Sequence, residues 1–395
     1  MSDANSKKRT IIEIHALETI AAGNLNRDDT GTPKTVEYGG ATRARVSSQA
    51  WKRPTRATFK DLLDPRDLGV RTKRVVEVLR NRILAREPET DEALACKVAE
   101  SILHDGAGIK LDKPRAKKKD ADDGDELMQS KYLLFLGNRQ YDLLADIAMD
   151  ALAQTDPVKA VKAEKKRIKQ IVTDDRSVDV ALFGRMVADD PNLNVDATAQ
   201  VAHAISVQAV NAEADFFTAV DDVKQNSDDE GDAGAAMMGH IEFNAATYYR
   251  YANVDADRLN ETLGDSNATA KAVSAFVRAF LTSMPQGKIS TFAHGTLPEL
   301  VVVNVRDTQA VNLVGAFERP VEPDYVRHAT EALVRRQKEL DEAYDITPVH
   351  TWVVRIGDDT AAAEGPDGLV DERSTMRRML EGLESAVAER LSCQE

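Results

Sequence analysis

The sequence predicts an α+β fold: a strand-rich body interrupted by a long helical excursion. Three observations predict it. Residues 10–17, "TIIEIHAL", are β-branched and partly alternating, as a buried strand requires. Residues 70–104 and 126–172 are mostly helical in pattern. Residues 240–254, "HIEFNAATYYRYANV", return to alternation, with tyrosines near the end. Strands on both sides of a mainly helical stretch suggest one α+β domain carrying a helical insertion.

After the first strand, Gly23, Gly31, Pro33, Gly39 and Gly40 predict a loop of about twenty residues. A loop of that length inside a compact domain is functional or disordered. A helix follows from Ser48, with Ser47 and Ser48 as N-cap candidates. Its Trp51, Thr55 and Phe59 form a stripe to bury, and Lys52, Arg56 and Lys60 form a second stripe of cations. Pro54 removes a backbone donor and predicts a kink or an early end. The charged loop "KLDKPRAKKKDADDGDE" separates the two helical regions. Near the end of the second, "DPVKAVKAEKKRIKQIV" places Lys159, Lys162, Lys166 and Lys169 on one helical face, which is also the pattern of an ordinary solvated face.

The pattern then turns to strands at 178–186, "VDVALFGRM", and 199–210, "AQVAHAISVQAV". The acidic, Gly- and Ala-rich insert "QNSDDEGDAGAAMMG" suits the tip of a long hairpin. A helix at 266–283, strands at 288–293 and 300–305 and a helix at 324–343 come next. A strand at "HTWVVRI" and an amphipathic helix at 371–391 close the chain.

The 395 residues carry a net charge of -14, with 42% hydrophobic and 30% charged side chains, so a sizeable core and a well-solvated surface are both available. Cys96 and Cys393 are too few for a disulfide framework or a zinc site, which fits a reducing intracellular compartment. The polar "MSDANSKKRT" lacks the apolar core of a secretory signal. No run approaches the ~20 apolar residues of a membrane span. The expectation is a soluble, cytoplasmic protein with no membrane partner.

An acidic body repels phosphate and argues against indiscriminate coating of nucleic acid. Yet from Tyr38 to Lys60 the chain holds six basic side chains (Arg43, Arg45, Lys52, Arg53, Arg56, Lys60) and no acid. At the chain's average, such a window holds about four acids. The absence of acids is a modest anomaly, open both to a local basic track and to simple fluctuation.

Catalytic patterns are missing. The histidines, His15, His104, His203, His240, His294, His328 and His350, are scattered, and none has metal-ligand spacing with a glutamate or a cysteine. There is no P-loop, no GxGxxG after a strand and no GxSxG elbow. Asp28 and Asp29 are the sole candidates for metal-assisted RNA cleavage, and adjacent carboxylates more often cap a turn. The expectation is a protein that is not an enzyme and needs no cofactor or metal.

An ordered set of segments carries a resemblance. It runs through Leu25-Asn26-Arg27-Asp28-Asp29, then Gly39-Gly40, Arg43, Arg45, Ser47-Ser48-Gln49 and Lys52-Arg53. It continues with "VDVALFGRM", "AHAIS", "DFFTAVDD", "FNAATYYRYANV", Pro285, Gly287, Lys288, Thr291 and Phe292. Together these blocks resemble the backbone subunit of the type I-E CRISPR Cascade complex, the CasC family. They run from the first strand to about residue 318, and the C-terminal eighty residues match weakly. Ala41 and Thr42 stand where that family has further basic residues, which thins the phosphate track, and Pro54 stands among its helix formers.

The resemblance implies a ferredoxin-like, RRM-type palm with a large helical insertion, the fingers, and a long β-hairpin thumb. The implied boundaries are palm at 1–56, fingers at 57–178, palm at 179–210, thumb at 211–242, and palm with C-terminal helices at 243–395. Copies would stack along one CRISPR RNA (crRNA) and grip its sugar-phosphate backbone while leaving base edges free to pair. The crRNA-binding set would be Arg27, Lys34, Arg43, Arg45, Ser47, Ser48, Gln49, Lys52, Arg53 and Arg56, with Lys159, Lys162, Lys166 and Lys169 on the fingers. Met186 and Phe217 would be apolar wedges at a displaced nucleotide, and for each the alternative is plain core packing. Implied partners are crRNA, the target DNA strand in the R-loop, copies of itself, the large and small subunits, the 5′-handle-capping subunit and the crRNA-processing endonuclease. Two other function classes stay open: an RNA-cleaving backbone subunit as in type III complexes, and a structural filament that assembles without RNA.

Overall fold

The computed structural model describes residues 9–114, 127–174, 176–187, 190–219 and 237–393. The chain divides into two units. One comprises Met1–Thr58, Gln200–Asp257 and Ala270–Glu395, and the other Phe59–Ala199 and Arg258–Thr269.

The first unit is built on a nine-stranded sheet. Its strands are β1 (Ile11–Gly23), β2 (Thr35–Tyr38), β3 (Ala41–Val46), β4 (Ala199–Val201), β5 (Ala204–Ser206), β6 (Glu213–Ala219), β7 (Met237–Asp255), β8 (Leu300–Arg306) and β9 (His350–Arg355). The order is β9-β8-β1-β7-β5-β3-β2, with β4 and β6 also paired to β7. The pairings of β1 with β7 and β8, and those of β8 with β9, β6 with β7, β5 with β7 and β3 with β2 and β5, are antiparallel.

β1 has a neighbour on each edge and a packed layer on each face, so every residue from Ile11 to Glu18 is buried. A strand buried on both faces loses the clean polar alternation of a half-exposed one. Leu17, Tyr249 and Val302 face one layer with Leu313, Phe317 and Leu333. One residue out of phase, Glu18 and Arg250 face the other. There the Arg250 guanidinium pairs with Glu18 and lies 3.8 Å from the Trp51 ring and 4.5 Å from the Phe280 ring. The predicted apolar stripe is therefore core: Trp51, Thr55 and Phe59 are all buried.

The second unit packs helices Val75–Arg86, Glu92–Ser101, Asn138–Leu152 and Lys165–Thr173 around Leu79, Ile83, Val98, Leu144 and Ile168. Two small antiparallel pairs join it, Gly69–Thr72 with Leu134–Gly137 and Leu111–Asp112 with Gln129–Ser130.

Several expectations change. The twenty-residue loop is shorter, because β1 runs to Gly23 and residues 35–46 form a hairpin. The helix from Ser48 continues through Pro54 to Leu62. The lysine-bearing stretch breaks at Glu164 into Pro157–Ala163 and Lys165–Thr173, so its four lysines do not share one continuous face. Residues 178–183 form a helix in place of the strand expected, with Ser177 at the N-cap position and Gly184 stopping it at φ 77°. The buried Asp179 accepts from the Gly69 backbone N–H at 2.7 Å, a long-range contact that outweighs β-branched propensity. The expected strand at 288–293 is one helical turn, Ile289–Phe292, set between Lys288 and Ala293 in the left-handed region. Residues 199–210 give two short strands where one was expected. The hairpin pairs from Glu213↔Phe243 to Ala219↔Met237, and most of its acidic insert lies outside the described residues.

Candidate nucleic-acid interface

The segment between β1 and β2 is tied down at several points. Asn24 Nδ2 donates to the carbonyls of Gly31 (3.0 Å) and Glu242 (2.7 Å). Asp28 Oδ1 accepts from the Thr30 N–H, the Thr30 hydroxyl and the Thr32 N–H at 2.9, 2.7 and 3.0 Å. These bonds, the Thr30 hydroxyl foremost, hold the Asp28 carboxyl below the usual range. Asp28 thus caps a turn. The Lys34 N–H donates to the Asn26 carbonyl, and Asn26 Oδ1 accepts from the Ser47 N–H, both at 2.9 Å. The loop is thereby fixed to the start of helix Ser48–Leu62. Gly287 lies against it so closely that a Cβ there would stand 2.5 Å from the Leu25 carbonyl oxygen.

At the β2–β3 turn, Gly39 and Gly40 have φ 61° and 75°, the pair of positive values that a tight twisted hairpin needs. Along β3 side chains alternate between faces. Arg43 points inward and is fully buried, donating to the carbonyls of Ser206, Val207, Phe317 and Glu318. Burial pushes its pKa down. Arg43 therefore departs from the expected phosphate track: its guanidinium ties β3 to two distant carbonyl pairs. Arg45 points outward, its Nε donating to the Thr35 carbonyl and its Nη1 bonded to His203 Nδ1, each at 3.0 Å.

On the helix, Ser47 is buried, Ser48, Lys52 and Arg56 are half-buried, and Gln49 and Arg53 are exposed. Burial pushes the Lys52 ammonium pKa down. Arg66, Arg327 and Arg355 each pair with a carboxylate. Among the described residues, Arg27, Lys34, Arg45, Lys52 and Arg53 pair with none. Unneutralised cations on tied-down backbone suit a phosphate ligand.

In the second unit, Lys159, Lys162, Lys166 and Lys169 are all exposed, and Lys162 stands 3.7 Å from Asp105. Met186 is 86% exposed, so core packing does not account for it. Both its neighbours are buried: Arg185 bridges to Val195 through backbone bonds of 2.9 and 2.8 Å, and the Val187 N–H donates to Asn194 Oδ1. The Arg185 guanidinium donates to the carbonyls of Leu193, Phe135 and Val172. An apolar tip is thus held outward on an anchored backbone. Replacing it is expected to leave folding within about 0.5 kcal/mol. A Met186→Ser variant measured by urea melting checks this, and a loss of ~2–5 kcal/mol would mark a packing residue instead.

Phe217 pairs with Gly239 across β6 and β7 and lies over it, since a Cβ on Gly239 would meet the ring at 2.6 Å. Its neighbour Phe216 is 55% exposed, with its ring 5.3 Å from that of His240. Phe216, Lys288 and His203 are not among the site residues expected from sequence. The run Pro285-Gly287-Lys288 is a signal for the second. The segment "AHAIS" is a signal for the third, but its pairing with Arg45 is set by sheet register and is not legible there.

Among the described residues no group of three His, Cys, Asp or Glu is placed to hold a metal ion, and no helix is long and apolar enough to cross a membrane.

Comparison with known proteins follows the whole chain. A solved structure described as "CRISPR RNA-guided surveillance complex, pre-nicking" contains a chain 35% identical to this one, with a TM-score of 0.80 over 96% of this chain and 100% of that one. Another, described as "CRISPR RNA-guided surveillance complex", contains a chain 28% identical, with a TM-score of 0.68 over 95% and 100%. No curated protein matches. The model of one family matches residues 12–382, from within β1 into the last helix, well past residue 318. On that extent the chain belongs to the CT1975-like protein family.

Proposed function

We propose that this protein is a non-catalytic backbone subunit of a CRISPR surveillance complex of type I-E, the CasC kind, working in the cytoplasm in antiviral defence. Copies of it line a crRNA, grip its sugar-phosphate backbone and leave the bases free to pair with a target DNA strand. The observation that carries the reading is the likeness, at 35% identity and TM-score 0.80 over nearly the full length, to a chain of an RNA-guided surveillance complex. The local geometry agrees, with cations on a braced loop and helix start that meet no carboxylate among the described residues.

The sheet supports a ferredoxin-like palm. β8-β1-β7-β5 stand in the spatial order of the fourth, first, third and second strands of a βαββαβ unit, with helices in both crossovers. The second unit then serves as fingers and the β6–β7 hairpin as thumb, with Met186 and Phe217 as wedges at displaced nucleotides. The large, small, 5′-handle-capping and endonuclease subunits complete the assembly.

The test is to purify the complex with its partner subunits, measure the A260/A280 ratio and sequence the extracted RNA. Bound RNA of one repeat-spacer unit is the expected result. Self-association that persists after nuclease treatment and removal of the RNA would favour a filament independent of RNA.

The same preparation is expected to show no nuclease activity of this subunit. Metal-assisted cleavage needs convergent ligands and a positioned water. Asp28 Oδ1 is instead taken by three donors of its own turn and, among the described residues, no further acid or histidine converges with it as a metal-binding group. Labelled guide and matched RNA or DNA, incubated in Mg²⁺ or Mn²⁺, are to stay intact. Regular cuts that vanish in Asp28→Ala or Asp29→Ala would overturn this.

A further inference from the structure

We propose that His203 joins Arg45 and Lys34 in a site that takes a phosphodiester oxygen of single-stranded nucleic acid. The inference rests on the reading above and adds a residue to it.

His203 lies in the short connection between β4 and β5. Its backbone is held on both sides, since the Ala202 N–H donates to the Tyr251 carbonyl at 2.9 Å and Ala204 pairs with Val46 of β3. The next pair in that register, Ile205 with Arg45, brings the Arg45 side chain alongside. A guanidinium has only donors and does not lose its proton in a protein. In the 3.0 Å contact between Arg45 Nη1 and His203 Nδ1, the imidazole nitrogen must therefore accept. That assigns the tautomer: the ring is neutral and its proton sits on Nε2.

Although the His203 ring is exposed, partial desolvation and then the charges of Arg45 and Lys34 lower its pKa, in the direction of the neutral form. Arg45 is fixed at two of its nitrogens, Nε on the Thr35 carbonyl and Nη1 on His203. Its backbone N–H donates to the Lys34 carbonyl at 2.8 Å, so the Lys34 chain departs from beside it. Two permanent cations and one neutral N–H donor meet here, and no carboxylate pairs with any of them among the described residues. A phosphodiester matches this set, one negative charge shared over two unbridged oxygens.

The neutral ring makes a distinguishable prediction. A cation on phosphate releases a counterion and sets the salt dependence, whereas a neutral donor adds affinity without it. The experiment titrates the full chain with labelled single-stranded RNA of mixed sequence across a salt series. His203→Leu is expected to weaken binding about tenfold with the log-log salt slope unchanged. Lys34→Ala is expected to lower that slope by about 0.7. His203→Gln keeps an N–H donor and is expected to recover part of the affinity, with unchanged melting in both His203 variants.

The complex loaded with guide, then challenged with labelled target DNA, separates the two sources of phosphate. A defect in loading assigns the site to the guide, and a defect in capture alone assigns it to the target strand. Wild-type affinity in His203→Leu on both arms would overturn the proposal while leaving the phosphate grip standing. Failure of the wild-type chain and complex to bind RNA would overturn both.

Discussion

Replacing Lys52 and Arg53 together by glutamate is expected to weaken RNA binding at least 100-fold, whatever the RNA sequence. Each is a cation on the first turns of helix Ser48–Leu62, and neither is neutralised by a carboxylate among the described residues. A hydrogen bond to a charged group contributes about 1.5–3 kcal/mol. Losing two therefore costs at least about 3 kcal/mol, or more than 100-fold in affinity, before repulsion by the new carboxylates is counted. The salt slope should fall by about 1.4, near 0.7 for each phosphate no longer neutralised. Arg327→Glu, whose parent arginine already pairs with Asp359, serves as the control and should change little. A defect that tracked RNA sequence, with an unchanged slope, would mean that these side chains read bases.

That prediction is within reach of the sequence, because charge and helical spacing are local properties. Trp51, Thr55 and Phe59 announce their buried face, and Lys52 and Arg53 fall off it. Other features are set by partners far along the chain. Arg43 and Arg45 are two residues apart and look equivalent as text. The carbonyls of Ser206, Val207, Phe317 and Glu318 take one inward, and His203 meets the other outside. The segment Val178–Phe183 has β-branched residues and alternation enough for a strand. Asp179 bonded to Gly69, and Gly184 at positive φ, make it a helix.

Residues 288–293 mislead for a related reason. Their one helical turn is bounded by Lys288 and Ala293 in the left-handed region, which only Gly, Asn and Asp adopt at small cost. The order of the lysines from 159 to 169 is visible in the sequence, but not the break at Glu164 that divides them. In each case a local pattern is present and is outweighed by the backbone conformation or by a partner distant in sequence.

Met186 is the sharpest instance, and it leads to the second large effect. Residue type alone favours a core position, yet its side chain is 86% exposed while the arginine before it is buried. Arg185→Leu is expected to destabilise the second unit by about 3 kcal/mol or more. The substitution removes the donor to the carbonyls of Phe135, Leu193 and Val172. Each buried acceptor left unpaired costs about 1–3 kcal/mol, and a leucine can fill much of the space without satisfying any of them.

The effect should be local first, because Arg185 and Val195 close a backbone bridge just past Gly184. Amide exchange at Arg185 and Val195 should rise more than in helix Tyr325–Ala343 of the other unit. On the proposed function, in which Met186 is a wedge at the guide, RNA binding should suffer with it. Met186→Ser separates the two causes: it removes the apolar tip and leaves the anchor, so it should keep wild-type exchange while weakening the hold on RNA. If Arg185→Leu melted and exchanged like the wild type, those carbonyls would have found other partners, and Met186 would not owe its outward position to the buried guanidinium beneath it.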